Sequence, residues 1–481
     1  MPRSNWSLAC AMAMAWCATI PAWACQWCGG GGGALSYCTL EASVCPTAAA
    51  YETSGSSDEP GLAPFNTQNS GWTSTSQGTS GLGRPVKATW SIVPDGTQLP
   101  TGVGEPTSNS DLVEFLDDLF EGGASPGGTS DLSQRSWFGL IESSFNRWTE
   151  VAGIDFEYAS NSNGQYAVDD GARLPNSSGL NNVRGDHRLG GHFIDGDVRP
   201  SVLAYNYFPN FSDMVIDTSE VTILGNPADN YLRFRNTIMH ELGHGLGLAH
   251  NESDDTTEGD DKHVFGSFLM EPILSTTFDG PQYDDILGMH RLYGDVLEKD
   301  GGNDTAGTAT DLGILRTHES IIRGADGHDA HVDPVDTDFV SIDDNGDVDY
   351  FQFTITERKS INVELSPVGP DEYLNGRDKS AENGTQTTFY PKSQSDLVLQ
   401  MLGPNGISSL VTENSTGLGS AEEIIEYELT EPGTYYLRIS GLQNAAQMYE
   451  LKIISVPEPA SWALAGVGFL AGAWQWRRRR R

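Results

Sequence analysis

The sequence predicts an α+β domain followed by an antiparallel β-sandwich. Within residues 84–296, strand-like segments alternate with segments whose apolar residues recur at helical spacing. Beyond residue 301, short β runs are separated by turn residues, which is typical of a sandwich. A chain of 481 residues is too long for one ordinary domain, so two or three folded units are expected.

The first domain is predicted to begin with the strand VKATWSIV, residues 86–93, which a Pro-Asp-Gly turn closes. Residues 136–151 carry apolar side chains at helical spacing, and Gly153 ends that helix. The segments IDFEYA, VLAYNYFP and DMVIDTSEV are further strand candidates. Strands and helices therefore interleave through this domain.

The second domain is predicted from its short β runs, which are DYFQFTIT, INVELS, LVLQML, IIEYEL, TYYLRIS and MYELKII. An acidic cluster precedes the first of them and consists of Asp343, Asp344, Asn345, Asp347 and Asp349. Oxygen ligands of this kind suit calcium, but an acidic turn between strands has the same composition. Calcium is therefore one of two interpretations of this cluster.

The net charge of the chain limits the classes of partner that it can bind. Acidic residues number 66 and basic residues 28, which gives a formal net charge of -38. Because phosphate binding needs a basic face, this balance argues against nucleic acid. It fits a soluble exported protein with a solvated acidic surface.

The N-terminus has the parts of a secretory signal peptide at residues 1–24: Arg3, an apolar core and the small-x-small site Ala-Trp-Ala. Residues 25–83 are then a cysteine-containing leader and a flexible linker rich in Ser, Thr, Gly and Pro. The cysteines that remain after cleavage are Cys25, Cys28, Cys38 and Cys45. Two disulfides are expected, their three possible pairings stay open, and a small metal site is the alternative.

The segment HELGHGLGLAH, residues 240–250, carries three of the ten histidines. Residues 230–246 have the apolar spacing of an amphipathic helix, and Asp229 is positioned to cap it. We expect the helix to end at Gly247, because glycine has the permissive backbone that a sharp turn requires.

This spacing predicts a catalytic metal site. His240 and His244 are four residues apart and lie on one helical face, where both imidazoles can reach one metal at about 2.0–2.1 Å. The turn after the helix would bring His250 to the same metal. Three protein ligands leave one position for water, as in catalytic zinc sites. Glu241 is the predicted general base for hydrolysis of a peptide bond by the activated water.

The chain resembles the metzincin metallopeptidases, and within them the matrixins, in the motif formed by His240, Glu241, His244, Gly247 and His250. Residues 267–272, SFLMEP, are similar to the methionine turn, and residues 284–294 are similar to the closing helix. The resemblance covers residues 84–296. It implies a twisted mixed sheet with helices, a catalytic zinc ion, and Met270 beneath the metal as an apolar floor.

The chain also departs from the matrixin pattern. The loop at residues 251–266 is longer and more acidic than the corresponding loop of typical matrixins. Its composition fits a calcium site and fits a solvated loop equally well. A cysteine-switch motif for latency is not found in the sequence. Asp186, His187 and His192 are conceivable ligands of a structural zinc ion, but the family spacing is not reproduced, so they are not assigned.

Residues 301–455 resemble the bacterial pre-peptidase C-terminal domain in NDTAGTATDLG, GDVDYFQFTI and EPGTYYLRISG. The resemblance implies a β-sandwich appendage of a secreted peptidase. Many domains of this kind are cleaved off.

Residues 456–481 combine Pro-Glu-Pro, an apolar run and five arginines. Taken alone, the run, a little short of the roughly 20 residues of a spanning helix, could be a simple tail anchor. The order of parts resembles the PEP-CTERM sorting signal of Gram-negative bacteria. It implies an exosortase-type partner, a membrane association through this tail only, transient anchoring in the inner membrane, and an extracellular or cell-surface location.

The sequence therefore predicts an exported zinc-dependent endopeptidase that acts on proteins or peptides. A non-catalytic extracellular matrix or adhesive protein that uses the peptidase fold for binding is the alternative. An enzyme that acts mainly on its own leader or tail is a third hypothesis.

Overall fold

A computed structural model describes residues 35–39, 65–67, 71–123, 130–161, 163–175, 178–196, 201–252, 267–377 and 387–456. The predicted signal peptide, the sorting tail, most of the acidic loop after residue 252 and three of the four leader cysteines lie outside these residues.

The first region contains, in chain order, β1 (Leu35–Thr39), β2 (Ser74–Thr75), β3 (Gly78–Thr79), β4 (Val86–Ile92), α1 (Leu112–Glu121), α2 (Phe138–Val151), β5 (Ile154–Tyr158), β6 (His187–His192), β7 (Val202–Tyr207), β8 (Asp213–Asp217), α3 (Val221–Leu224), α4 (Leu232–Leu246), β9 (Asn251–Glu252) and α5 (Tyr283–Tyr293). Short 3-10 turns occur at Leu132–Gln134 and Val296–Gly301.

The second region contains β10 (Thr310–Ile314), β11 (Ser320–Arg323), β12 (Ser341–Ile342), β13 (Val348–Ile355), β14 (Lys359–Pro367), β15 (Tyr373–Arg377), β16 (Thr387–Phe389), β17 (Leu397–Leu402), β18 (Ser409–Glu413), β19 (Glu422–Leu429), β20 (Gly433–Gly441) and β21 (Gln447–Val456). A 3-10 turn lies at Pro391–Ser393.

The first region contains a six-stranded mixed sheet of order β1-β7-β8-β6-β4-β5. The pairs β4–β5, β4–β6 and β6–β8 are parallel, whereas β7 pairs antiparallel with β8 and with β1. The strands β6 and β8 are buried at every position. Burial at every position, rather than at alternate positions, indicates that both faces of the sheet are covered at these strands, although β6 carries the polar side chains of His187, Arg188 and His192.

Two helices, α2 and α4, pack together in this region. The ring of Phe145 on α2 stacks on Trp90 of β4 with a centroid distance of 4.4 Å. Trp148, one turn further along α2, donates its indole N–H to the carbonyl of Met239 on α4 at 3.1 Å. These buried aromatic contacts fix α4, which carries the histidine motif, against the remainder of the core.

The second region is a sandwich of a β10-β13-β20-β17-β18 sheet and a β11-β21-β14-β19 sheet. Burial alternates residue by residue along β13 and β14, so one face of each strand lines the core between the sheets. The pairing is antiparallel except that β10 runs parallel to β13. Between β10 and β13 the chain passes through β11, which belongs to the other sheet. Two parallel neighbouring strands require such a crossover connection.

The described chain combines helices and a mixed sheet with a mainly antiparallel C-terminal sandwich, which confirms the predicted α+β class. One apolar cluster runs from the first region into the second. It joins Tyr283 and Ile286 of α5 to Val368, Phe389 and Met448.

Candidate metal centre

The helix α4 begins later than predicted and without the predicted cap. Asp229, Asn230 and Tyr231 have φ values of 51°, 56° and 58°, and the cap position at Tyr231 has no side-chain hydrogen bond. Arg235 instead binds the carbonyl oxygens of Asp229 and Asn230. The prediction that Asp229 caps the helix is therefore wrong, because the left-handed backbone turn displaces this residue from the cap position.

The end of α4 at Gly247 is confirmed. Gly247 has φ of 114° and donates its N–H to the carbonyls of Gly243 and His244, both at 3.0 Å. This left-handed conformation is one that glycine adopts without steric cost. The turn reverses the chain, so that His250 returns to the helix face that bears the other two histidines.

The three imidazoles of His240, His244 and His250 converge. The Nε2 atom of His240 lies 3.0 Å from that of His244 and 3.2 Å from that of His250, and the His244–His250 distance is also 3.2 Å. Four ligands arranged tetrahedrally at about 2.0–2.1 Å from one metal are roughly 3.3–3.4 Å apart. The triangle of nitrogens is thus close to the size that a zinc ion needs.

The protonation of these rings also suits a metal. His240 Nδ1 lies 2.6 Å from the carbonyl of Leu269, and His244 Nδ1 lies 2.8 Å from the carbonyl of Leu248. Each Nδ1 must carry the proton to donate it, so the Nε2 atoms of these two rings present lone pairs. Burial lowers the pKa of His240 to about 3 and that of His244 well below its usual value, so both rings are neutral. Lone pairs that face one another at this distance repel unless a cation lies between them.

Glu241 directly follows His240 in α4 and is fully buried. Its backbone carbonyl accepts a hydrogen bond from the side chain of Asn206 on β7 at 2.6 Å. This contact fixes the middle of the motif to the sheet. The sequence did not indicate Asn206, since the two residues are linked only by the packing of α4 on β7.

The segment that is similar to the methionine turn lies against α4. Met270 is buried, and a side chain at Gly243 would collide with its sulfur. The carboxylate of Asp285 on α5 accepts hydrogen bonds from the backbone N–H groups of Leu269 at 2.8 Å and Met270 at 3.1 Å. Burial raises the pKa of Asp285 to about 6. The closing helix therefore holds the turn whose Leu269 carbonyl orients His240.

A segment of the predicted linker also contacts the centre. Ala249 donates its N–H to the carbonyl of Asn66 at 2.7 Å, and the side chain of Asn66 donates to the carbonyl of His250 at 3.0 Å. Trp72 donates its indole N–H to the carbonyl of Gly245 at 2.7 Å. Composition favoured a flexible segment here, and the aromatic residues Phe65 and Trp72, which both pack on the core, were the local signals of an anchor.

Two groups of carboxylates, among the residues that the structure describes, lie close enough to share a cation. One consists of Asp195, Asp217 and Glu220, and the other of Glu298, Asp347 and Asp349. The second includes two residues of the acidic cluster singled out in the sequence. The sequence did not indicate the first group or Glu298, because the members of each group come together from separate strands and turns.

The conceivable structural zinc ligands are each engaged elsewhere. Asp186 accepts hydrogen bonds from the backbone N–H groups of Ser76 and Thr89. His187 contacts the hydroxyl of Ser212, and His192 contacts Ser108 and Glu105 at 2.6 and 3.3 Å. These three residues do not form one of the possible metal-binding groups in the described chain.

Comparison with known families places these features in context. Residues 127–294 match the matrixin family, residues 347–441 the bacterial pre-peptidase C-terminal domain, and residues 455–480 the PEP-CTERM protein-sorting motif. The three matches occur in the predicted order and confirm the resemblance. The first supports a metallopeptidase and the third supports export.

Two solved structures are similar to part of the chain. The pre-peptidase C-terminal domain of collagenase from Bacillus anthracis is 15% identical, with 30% of this chain and 93% of that chain covered and a TM-score of 0.17. A β-glucosidase from Paenibacillus barengoltzii is 10% identical, with 31% and only 12% covered and a TM-score of 0.16.

No curated protein matches the chain. The part of the chain that the structure describes has no helix with the length and apolar character of a membrane span.

Proposed function

We propose that the protein is an exported zinc-dependent endopeptidase that hydrolyses protein substrates. The observation that carries the proposal is the triangle of Nε2 atoms, 3.0–3.2 Å apart. His240 and His244 are buried, and so is Glu241, which directly follows His240 in the chain. His240, His244 and His250 would hold the zinc ion. Bound there, zinc would polarise the scissile carbonyl and lower the pKa of a coordinated water.

The residues around this centre have separate roles. Glu241 is the general base, which accepts a proton from the attacking water and passes it to the leaving amine. The carbonyls of Leu269 and Leu248 hold His240 and His244 in the tautomer that presents Nε2. Met270 lies below as an apolar floor that excludes water from the underside of the helix.

The domain limits and the sorting route belong to the same proposal. Residues 84–296 are the catalytic domain, residues 301–455 the sandwich and residues 456–481 the sorting tail, after a leader that ends at residue 83. An exosortase-type enzyme recognises the tail, which is the part that associates with the membrane. The matched sorting motif supports this route.

The substitution Glu241→Gln tests the catalytic assignment. It keeps the size of the side chain but removes the base, so kcat on a denatured protein should fall by about 10²–10⁴-fold while zinc content stays unchanged. Glu142→Gln, on α2, is the control and should keep full activity. Cleavage that survives Glu241→Gln, or that survives removal of zinc by a chelator, would show the assignment to be wrong.

The proposal also includes calcium as a second cation. Buried carboxylate oxygens of Asp195 and Asp349 have no hydrogen-bond partner within the protein, and each lies in one of the two carboxylate groups. Burial raises the pKa of Asp195 to about 6, and burial beside other carboxylates raises that of Glu298 to about 9. A divalent cation bound by oxygen ligands would relieve both costs.

Calcium should therefore raise the thermal midpoint of the zinc-loaded protein. A site occupied at a hundredfold excess over its Kd stabilises the fold by about 2–3 kcal/mol. Differential scanning calorimetry in calcium, compared with sodium chloride of the same ionic strength, measures this effect. Equal midpoints in the two salts would exclude calcium as a structural ion.

A further inference from the structure

The C-terminal region contacts the first region along α5. Near the start of this helix, the hydroxyl of Tyr283 donates to the carbonyl of Val368 at 3.0 Å. Near its end, the guanidinium of Arg291 donates to the carbonyl of Asp343 at 2.8 Å. The sandwich thus packs along the whole of α5, the helix that also holds the methionine turn.

One chain of contacts leads from the sandwich region towards the metal centre. The hydroxyl of Tyr373 on β15 donates to Asp284 Oδ1 at 2.7 Å, and Asp284 Oδ2 accepts from the side-chain amide of Asn251. Tyr373, Asp284 and Asn251 are 5%, 0% and 2% exposed. Asn251 directly follows His250 in the chain, so this carboxylate connects Tyr373 to the residue next to the third imidazole.

The backbone makes a second connection at the same place. β9, which begins at Asn251, pairs antiparallel with β15, with Arg377 opposite Asn251 and Gly376 opposite Glu252. β15 pairs on its other side with β16, so a three-stranded sheet of order β16-β15-β9 spans the two regions. The backbone N–H of Asn251 also donates to the carbonyl of Met270 at 3.2 Å.

These connections act on a short segment that must be placed accurately. His250 lies beyond the end of α4, so the helix does not set its position as it sets those of His240 and His244. Its main chain is held by Asn66 on one side and, through Asn251, by Asp284 and β15 on the other. Metal affinity depends on such supporting contacts, because a ligand that must be ordered at binding weakens the complex.

We propose that Tyr373 is a positioning residue of the metal centre, which acts through Asp284 and Asn251 to hold His250 in place. The C-terminal region is then a working part of the peptidase and not a removable appendage. This inference rests on the proposed zinc centre. It assigns a role in that centre to a side chain more than 120 positions further along the sequence.

The substitution Tyr373→Phe in the full-length chain tests the inference. It removes one hydroxyl and keeps the ring, so we expect the fold to persist and the Kd for zinc to rise about 10–100-fold. Competition with a chromophoric chelator gives this Kd without any measurement of activity. The visible absorption of the cobalt-substituted protein should change as well, since it reports the geometry of the ligands.

Tyr205→Phe is the matched control. The Tyr205 hydroxyl donates to the carboxylate of Glu105 at 2.8 Å in an equally buried site within the first region, so the same chemical group is lost. This variant should keep the zinc Kd and the cobalt spectrum of the wild type. Asn251→Ala should weaken zinc binding, and its effect should not add to that of Tyr373→Phe, because both act through Asp284.

The outcomes distinguish the inference from the function on which it rests. Wild-type zinc affinity and an unchanged cobalt spectrum in Tyr373→Phe would overturn the positioning role and leave the zinc peptidase intact. An equal loss of affinity in Tyr205→Phe would overturn it too, because general destabilisation would then explain both. Failure of the wild-type chain to bind zinc would overturn the proposed function and the inference with it.

Discussion

At the scale of single residues, Gly243 allows α4 to lie directly on the methionine turn. A Cβ atom at this position would collide with the sulfur of Met270 and would lie 3.6 Å from the ring of Trp148. The first contact is closer than real Cβ atoms approach, so either the helix or Met270 would have to move. Because His240 and His244 are on the same helix, the shift would reach these two proposed metal ligands.

Gly243→Ala should therefore destabilise the protein by about 1–3 kcal/mol, although alanine is intrinsically the better helix former by about 1 kcal/mol. Gly139→Ala, on α2, is the control, since a Cβ there meets nothing within 4 Å. Urea unfolding of the two zinc-loaded variants measures the difference. A Gly243→Ala protein as stable as the Gly139→Ala protein would contradict the close packing.

At the scale of elements, α5 connects the methionine turn, the sandwich and the end of α2. Its His290 is fully buried, with Nε2 2.7 Å from the carbonyl of Val151 and Nδ1 2.9 Å from the hydroxyl of Ser341. Nε2 must donate to the Val151 carbonyl, and in the neutral ring Nδ1 accepts from the Ser341 hydroxyl. Burial lowers the pKa of His290 to about 4.

The stability that His290 contributes should be lost at acidic pH. The unfolded chain takes up a proton near pH 6.5 that the folded chain takes up only near pH 4, so the free energy of unfolding falls as pH falls through this interval. The full effect is on the order of 3 kcal/mol. Urea unfolding at pH 7.5 and pH 4.5 should show a flatter pH dependence for His290→Gln than for wild type. Parallel pH profiles would refute this.

The elements differ in how far the sequence predicts them. The spacing of His240 and His244 fixes their common helical face, and Gly247 marks the end of the helix, because both are local properties of the chain. The strands of the sandwich followed from alternation, which burial on one face imposes. The cap at Asp229 was wrong because a left-handed turn, which no local pattern marked, precedes α4.

Contacts between distant segments were not predictable from the sequence. Asp284 and Asp285 were recognised only as members of the closing helix, and nothing local distinguishes the one that binds Tyr373 from the one that holds Met270. Likewise Asn66 lies in a segment whose composition favoured a linker. Such side chains acquire their roles from packing between segments that are far apart in sequence.

At the scale of the whole molecule, the two regions share one apolar core. Tyr283 and Ile286 of α5 belong to the same buried cluster as Val368, Phe389 and Met448 of the C-terminal region. Full burial of each large apolar side chain contributes roughly 1.5–3 kcal/mol. Separation of the regions would expose both sides of this contact to water.

A chain that ends at residue 300 should therefore lose cooperative folding and bind zinc weakly. The measurement is thermal unfolding by near-ultraviolet circular dichroism, which reports the packing of the aromatic side chains, together with the zinc Kd of the fragment. The full-length chain is the reference. A fragment that unfolds cooperatively with the reference zinc affinity would show that the sandwich is dispensable.

The central claim, that three histidines hold one catalytic zinc ion, is tested most directly by X-ray absorption at the zinc edge of the zinc-loaded protein. We expect each zinc ion to have three imidazole nitrogens at about 2.0–2.1 Å. His250→Ala should reduce that number to two. A first shell made of carboxylate oxygens, or a spectrum that His250→Ala leaves unchanged, would contradict the claim.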